Sequence, residues 1–192
     1  MECNMLNSQN TSREFTEFIE RVTLVVEQMQ PNFLNELEDL LRKLVQTDSW
    51  LMIKNLAPNN NGYARYSLHH DSLNRFEVLA LVWKNGQKTQ LHDHDGTWGL
   101  EGVLTGHIQV HNFKQIKKIA DNVFELQHTE SINLGKGETD QILPQIDCHI
   151  IEVDKQDVTI TIHVYGKKLE CFKVFEPTDE QNVYTSKKYD IN

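Results

Sequence analysis

Two histidines stand two residues apart in the stretch Leu91-His92-Asp93-His94-Asp95-Gly96-Thr97-Trp98-Gly99. Side chains of an extended strand alternate between its faces, so His92 and His94 project to one side and can grip a single ion, while Asp93 projects to the other. Neutral imidazole suits borderline first-row metals such as iron, zinc, copper and nickel, and two histidines leave room for a third ligand from elsewhere. The same alternation on Thr161-Ile162-His163-Val164-Tyr165 puts Thr161, His163 and Tyr165 on one face, where a hydroxyl–imidazole–phenol relay can form.

These residues need a scaffold, and apolar strand patterns flank the histidine pair, Phe76 to Trp83 before it and Leu100 to Val110 after it. That placement predicts a barrel interior. From Tyr63 onward short segments with strand patterning follow one another: 63–68, 76–83, 89–94, 98–104, 107–113, 122–127, 130–134, 139–143, 148–153, 158–165 and 171–175. Turn signals at Asn85-Gly86, Thr105-Gly106, Gly135-Lys136-Gly137, Pro144 and Gly166 separate them. Many short strands at this spacing predict a closed sandwich or barrel. Upstream the period is helical. Thr11 and Glu14 have capping-box spacing ahead of a helix over about 12–29, and Pro31 interrupts it before a second amphipathic helix over about 33–47. Residues 1–11 read as a loose tail, and the polar segment after Pro177 as a surface wrap. The division is residues 1–54 as tail and helices packing on the barrel and 55–192 as barrel with a C-terminal extension, together one structural domain.

The net charge of −9, without a dense Lys/Arg stripe, argues against nucleic acid and anionic membranes and leaves a small molecule or another protein as partner. Three widely spaced cysteines, Cys3, Cys148 and Cys171, make no disulfide framework. No apolar run reaches the length of a membrane span, and the polar N-terminus lacks the blocks of a secretory signal, so a cytoplasmic protein is expected.

Gly86, His92, His94 and Gly106, followed by Pro144 five residues before His149, resemble the paired motifs of cupins, the double-stranded β-helix (jelly-roll) barrels. Cupins commonly carry a glutamate four or five positions beyond the second histidine, where this chain has Trp98 and Gly99. A three-histidine site without that glutamate resembles the thiol dioxygenases of the cysteine dioxygenase type I family. Tyr63-Ala64-Arg65 stands where that family has its carboxylate-holding arginine, Thr161 to Tyr165 is similar to its Ser-x-His-x-Tyr strand, and Phe76 to Gly106 looks like its bacterial branch. The resemblance implies a mainly β cupin with N-terminal helices, Fe(II) held by His92, His94 and His149, and addition of both atoms of O2 to a small thiol. It also implies catalytic roles for Thr161, His163 and Tyr165, substrate contacts from Arg65 and Tyr63, and a monomer.

Several positions depart from the family. Gly99 replaces the cysteine that crosslinks to tyrosine in the animal enzymes, and Val153 replaces an asparagine after the third histidine. Arg65 stands where 3-mercaptopropionate dioxygenases carry glutamine, and Lys173 and Val174 stand where those enzymes have an arginine. That pattern favours L-cysteine, with cysteine sulfinic acid as product, over 3-mercaptopropionate; a non-catalytic metal-binding cupin is the alternative of another class. The planar fork of Arg65 matches a carboxylate, Trp98 lies near enough to the ligands to line the pocket, although barrel packing is the better reading of both Trp83 and Trp98, and Cys148 should face away from the metal.

Overall fold

The computed structural model describes residues 3–5, 12–51, 56–143, 147–153 and 158–191. Helix α1 (Arg13–Gln28) begins at Ser12, whose Oγ accepts the amide of Phe15 at 3.1 Å. Thr11, the expected cap, lies outside the described residues. Met29, in the left-handed region at φ 42°, closes the helix, and α2 (Phe33–Leu44) follows directly. Phe15, Phe18, Val22 and Val26 of α1 and Leu37, Leu41 and Leu44 of α2 are buried, which is the apolar stripe that the helical spacing predicts.

Twelve strands are described: β1 (Cys3–Met5), β2 (Ala64–His70), β3 (Glu77–Trp83), β4 (Leu91–His92), β5 (Gly99–Thr105), β6 (His107–Ala120), β7 (Val123–Gly135), β8 (Thr139–Ile142), β9 (Asp147–Val153), β10 (Thr159–Tyr165), β11 (Cys171–Pro177) and β12 (Val183–Asp190). One sheet has the order β1-β2-β3-β10-β5-β8, and the other six strands close on themselves in the order β11-β12-β7-β6-β9-β4. Among the described residues this is a mainly β chain, a six-stranded sheet beside a closed six-stranded barrel, with two helices ahead of most of the strands in the sequence.

The sheet β1-β2-β3-β10-β5-β8 has two unlike faces. Ala64, Tyr66, Val78, Ala80, Val82, Leu100, Leu104, Ile160, Ile162 and Val164 form one core with the helices. The alternate positions point into the barrel and include Leu79, Leu81, Trp83, Val103 and Tyr165, together with the buried polar residues Arg65, Ser67, Glu77, Glu101, Thr161 and His163. Chemistry and packing are thus carried by opposite faces of the same strands.

Four expectations about elements change. Residues 122–127 and 130–134 form one strand, β7, which pairs with a β6 that runs on to Ala120. Its middle is exposed on both faces, so no apolar alternation marks it in the sequence. The predicted strand over 89–94 shrinks to Leu91–His92, because Asp95 and Gly96 adopt left-handed conformations at φ 52° and 69°. The segment after Pro177 is a strand, β12, paired with β11 and β7, and β1 in the N-terminal tail pairs in parallel with β2. Backbone pairing holds both without an apolar stripe to announce them. No helix among the described residues is long and apolar enough to cross a membrane.

Candidate metal centre

Strand β4 delivers His92, the turn after it delivers His94, and β9, paired with β4 at His92↔His149, delivers the third imidazole. One ring nitrogen from each lies within 4.8 Å of the others. The rings are 4.8–5.0 Å apart, and both nitrogens of His94 and Nε2 of His149 are buried with no hydrogen-bond partner among the described residues. His92 Nδ1 lies 2.9 Å from the carbonyl of Gln90, which turns Nε2 inward. Burial holds His92 below the usual imidazole range and pushes His94 and His149 well below it, so all three rest neutral with lone pairs to offer. Unpartnered buried nitrogens converging on one point are what a divalent ion would satisfy.

Asp93 anchors the turn between the first two ligands. It is buried, and its carboxylate accepts the backbone amide of Lys173 at 2.7 Å and the Lys173 ammonium at 3.0 Å. Asp95 instead meets the Lys167 ammonium at 2.5 Å. Pro144, part of the motif around His149, lies outside the described residues.

Beside the histidines is a narrow cavity of about 20 Å³ lined by Tyr63, Arg65, Trp83, Tyr165 and Phe172 among others. Arg65 is buried, with Nη2 3.5 Å from Glu77 Oε2, while Ser67 Oγ donates to the other oxygen of Glu77 at 3.3 Å. Tyr165 stacks on His94 with ring centroids 5.3 Å apart. The close approach depends on Gly99, opposite Tyr165 in the sheet, where a Cβ would lie 2.9 Å from the tyrosine ring.

Behind Tyr165 the hydrogen bonds run in one direction. An indole N–H can only donate, and Trp83 Nε1 donates to Thr161 Oγ1 at 2.9 Å. The Thr161 hydroxyl is then oriented to donate to His163 Nε2 at 2.8 Å, which leaves the His163 proton on Nδ1, facing the Tyr165 oxygen at 3.1 Å. Satisfying every donor leaves the phenol hydrogen free to point into the cavity. Burial, with the nearby Arg65 charge, pushes His163 down to about 3, and burial pushes the Tyr165 phenol far above its ordinary range. The network is therefore neutral, and its outer end is a donor.

The structure gathers His92, His94, His149, Thr161, His163, Tyr165, Arg65 and Tyr63 around this centre. Trp98 is placed elsewhere: it packs edge-on to Phe33 of α2 at 5.7 Å and belongs to the helix-facing core, because position 98 precedes an inward-facing glycine. Cys148 falls in a separate apolar cluster, as alternation against His149 predicts. Sequence reasoning missed Glu77, the donor role of Trp83, and Glu101. The last is wholly buried, 3.8 Å from His149 Nδ1 and 3.8 Å from His163 Nδ1. Burial, with Asp140 adding in the same direction, holds its carboxyl well above the usual range. Its signal was legible, since a carboxylate at an inward position of an apolar strand is anomalous.

No protein-family model matches the chain. Among solved structures it is similar to an uncharacterized conserved protein with a double-stranded β-helix domain from Klebsiella pneumoniae, at 17% identity over 63% of this chain and 85% of that one, with a TM-score of 0.47. It is also similar to the Schizosaccharomyces pombe Cnp3 cupin domain, at 10% identity over 60% and 72% of the two chains and a TM-score of 0.46. A third is an oxalate oxidase in complex with the substrate analogue glycolate, at 16% identity over 57% and 53% and a TM-score of 0.43.

Proposed function

We propose that this protein is an Fe(II)-dependent thiol dioxygenase that adds both atoms of O2 to the sulfur of a small thiolate, with L-cysteine as substrate and its sulfinic acid as product. The observation that carries the reading is the convergence of three neutral imidazoles on one side of a cavity whose other walls hold Arg65 and the donor end of the Tyr165 network. Fe(II) bound there would supply Lewis acidity toward the thiol and a site for O2. His92, His94 and His149 would hold it, and as neutral ligands they leave its charge available to an anionic sulfur.

The chain's own residues do the rest. The planar guanidinium of Arg65 faces the cavity as the anchor for a carboxylate, and Tyr165, supported by His163, Thr161 and Trp83, holds a proton at its oxygen for the reacting centre. Tyr63, packed on Trp83 at 4.5 Å, walls the substrate side. The cavity holds about one water-sized group, so an amino acid fits only when the cavity walls give way.

Glu77 favours a second reading. Its carboxylate already faces Arg65, which weakens the pull on a substrate carboxylate, so a carboxylate-free thiol such as cysteamine is the alternative substrate. O2 consumption by anaerobically Fe(II)-loaded protein with L-cysteine, 3-mercaptopropionate and cysteamine, with products identified by mass, separates them. Cysteine sulfinate formed fastest is the expected result. Faster turnover of cysteamine replaces the substrate, and no turnover of any thiol at full iron occupancy overturns the proposal in favour of a non-catalytic cupin.

A further inference from the structure

Glu101 is an anomalous residue of the interior. It lies on β5 opposite His163, its relative exposure is 0%, and neither carboxyl oxygen has a hydrogen-bond partner among the described residues. A buried polar group without a partner destabilises the fold, and more so if charged. The other inward positions of the strand are Gly99 and Val103, so an apolar side chain would suit the barrel better. Such a residue persists where its chemistry is used.

The geometry says with what. Oε1 is 3.8 Å from His149 Nδ1 and Oε2 is 3.8 Å from His163 Nδ1, so one carboxyl group stands between a candidate metal ligand and the Tyr165 network. Nε2 is the unpartnered nitrogen of His149 and Nδ1 is the one that faces Glu101, so a neutral ring that ligates through Nε2 carries its proton on Nδ1.

We propose that Glu101 is a positioning residue for the metal centre: its carboxyl oxygen, set behind Nδ1, fixes the ring orientation and tautomer of His149 and so favours binding of a divalent ion. The role rests on the three-histidine reading of the site, and not on the choice of substrate. At 3.8 Å the link is electrostatic, and the same carboxylate spans to His163, which joins occupancy of the centre to the network that ends at Tyr165.

Two substitutions, Glu101→Gln and Glu101→Leu, separate this role from an architectural one. Thermal unfolding of the ion-free protein and Co(II) affinity by chelator competition are the readouts, neither of which needs turnover. Expected is an ion-free protein as stable as the wild type or more stable, with Co(II) bound 10–100-fold more weakly by Glu101→Leu. Glu101→Gln falls between, since its amide oxygen can still face Nδ1 at the same distance. Affinities within twofold of wild type overturn the proposal. Lower stability of both ion-free variants, up to failure to fold, assigns Glu101 to the architecture and overturns it as well. A wild-type protein that binds no Co(II) fails the three-histidine reading itself, a result distinct from the other two.

Discussion

The two faces of β10 divide the labour of the molecule. Ile160, Ile162 and Val164 lie against the helices in an apolar cluster, and Thr161, His163 and Tyr165 lie against the barrel interior beside Arg65, Glu77 and Glu101. Both faces are almost free of solvent, with Ile162 and His163 each 0% exposed. Burial on the first is driven by the hydrophobic effect and stabilises the fold; on the second it works against neutral and charged polar groups and destabilises it. The helix-facing side therefore supplies the free energy that the barrel-facing side consumes, and variants of the two should fail in opposite ways.

The sharpest contrast comes from removing a ligand. His149→Ala should weaken divalent-ion binding by more than about 10³-fold, since one of three ligands is lost, while the ion-free protein keeps its stability because an unpartnered buried nitrogen goes with it. Chelator competition and calorimetry measure the two quantities on one sample. A fall in ion-free stability as large as that of a core variant would abolish the division between the faces.

Acid should act on the barrel-facing side through its four buried histidines. His92, His94, His149 and His163 are all held below their ordinary pKa, the last at about 3, so each is protonated in the unfolded chain before it is in the folded one. The unfolded state then binds more protons, and stability falls as pH drops through 6.5, by up to about 1.4 kcal/mol per pH unit for each histidine. Glu101 has the opposite sign. Its raised pKa leaves the folded state holding a proton that the unfolded chain loses above about 4.5, so it lowers stability toward alkaline pH. Ion-free protein should be most stable near pH 6–7, and a flat profile between pH 4 and 7 would show that these imidazoles are solvated.

On the other face, Leu41→Ala should cost about 2–5 kcal/mol, because Leu41 of α2 is 0% exposed against the sheet and its truncation leaves a cavity. Metal affinity should stay within a fewfold of wild type. Denaturant unfolding with and without Co(II) reads both, and a parallel loss of affinity would mean that the helices shape the centre.

The same division governs what the sequence discloses. The helices and the strands with an apolar face, β2, β3, β5, β9 and β10, are legible because burial imposes a period. The middle of β7 and all of β12 are held by backbone pairing without a buried stripe, and backbone pairing leaves no mark on residue type. In the site, spacing disclosed His92, His94 and the Thr161-His163-Tyr165 face, because alternation along one strand suffices. The contributions that depend on strand-to-strand register, Trp83 to Thr161 and Glu101 to His149, became visible only when β3, β5, β9 and β10 were brought together. Trp98 shows the converse: proximity to the ligands in sequence did not place it beside them, since one step along a strand reverses the face.

The smallest expected effect tests the direction of the network. Tyr165→Phe removes an oxygen that meets His163 at 3.1 Å and changes little else, since the ring keeps its stacking on His94 and its fit against Gly99. Metal affinity should hold and stability should fall by about 1–3 kcal/mol, since the buried His163 Nδ1–H loses its acceptor, while turnover of the Fe(II) enzyme with its thiol should fall about 10²-fold if the phenol supplies a proton-bearing group to the reacting centre. Thr161→Val removes the link two bonds upstream: Trp83 loses its acceptor and His163 Nε2 its donor. A neutral imidazole then has no reason to keep its proton on Nδ1, so the phenol is free to donate to His163 rather than into the cavity. Thr161→Val should therefore reproduce part of the Tyr165→Phe loss in kcat, with KM less affected. Equal kcat in wild type and both variants would reduce the barrel-facing side of β10 to a buried polar patch with no part in turnover, and the contrast with Ile160, Ile162 and Val164 would then be one of packing alone.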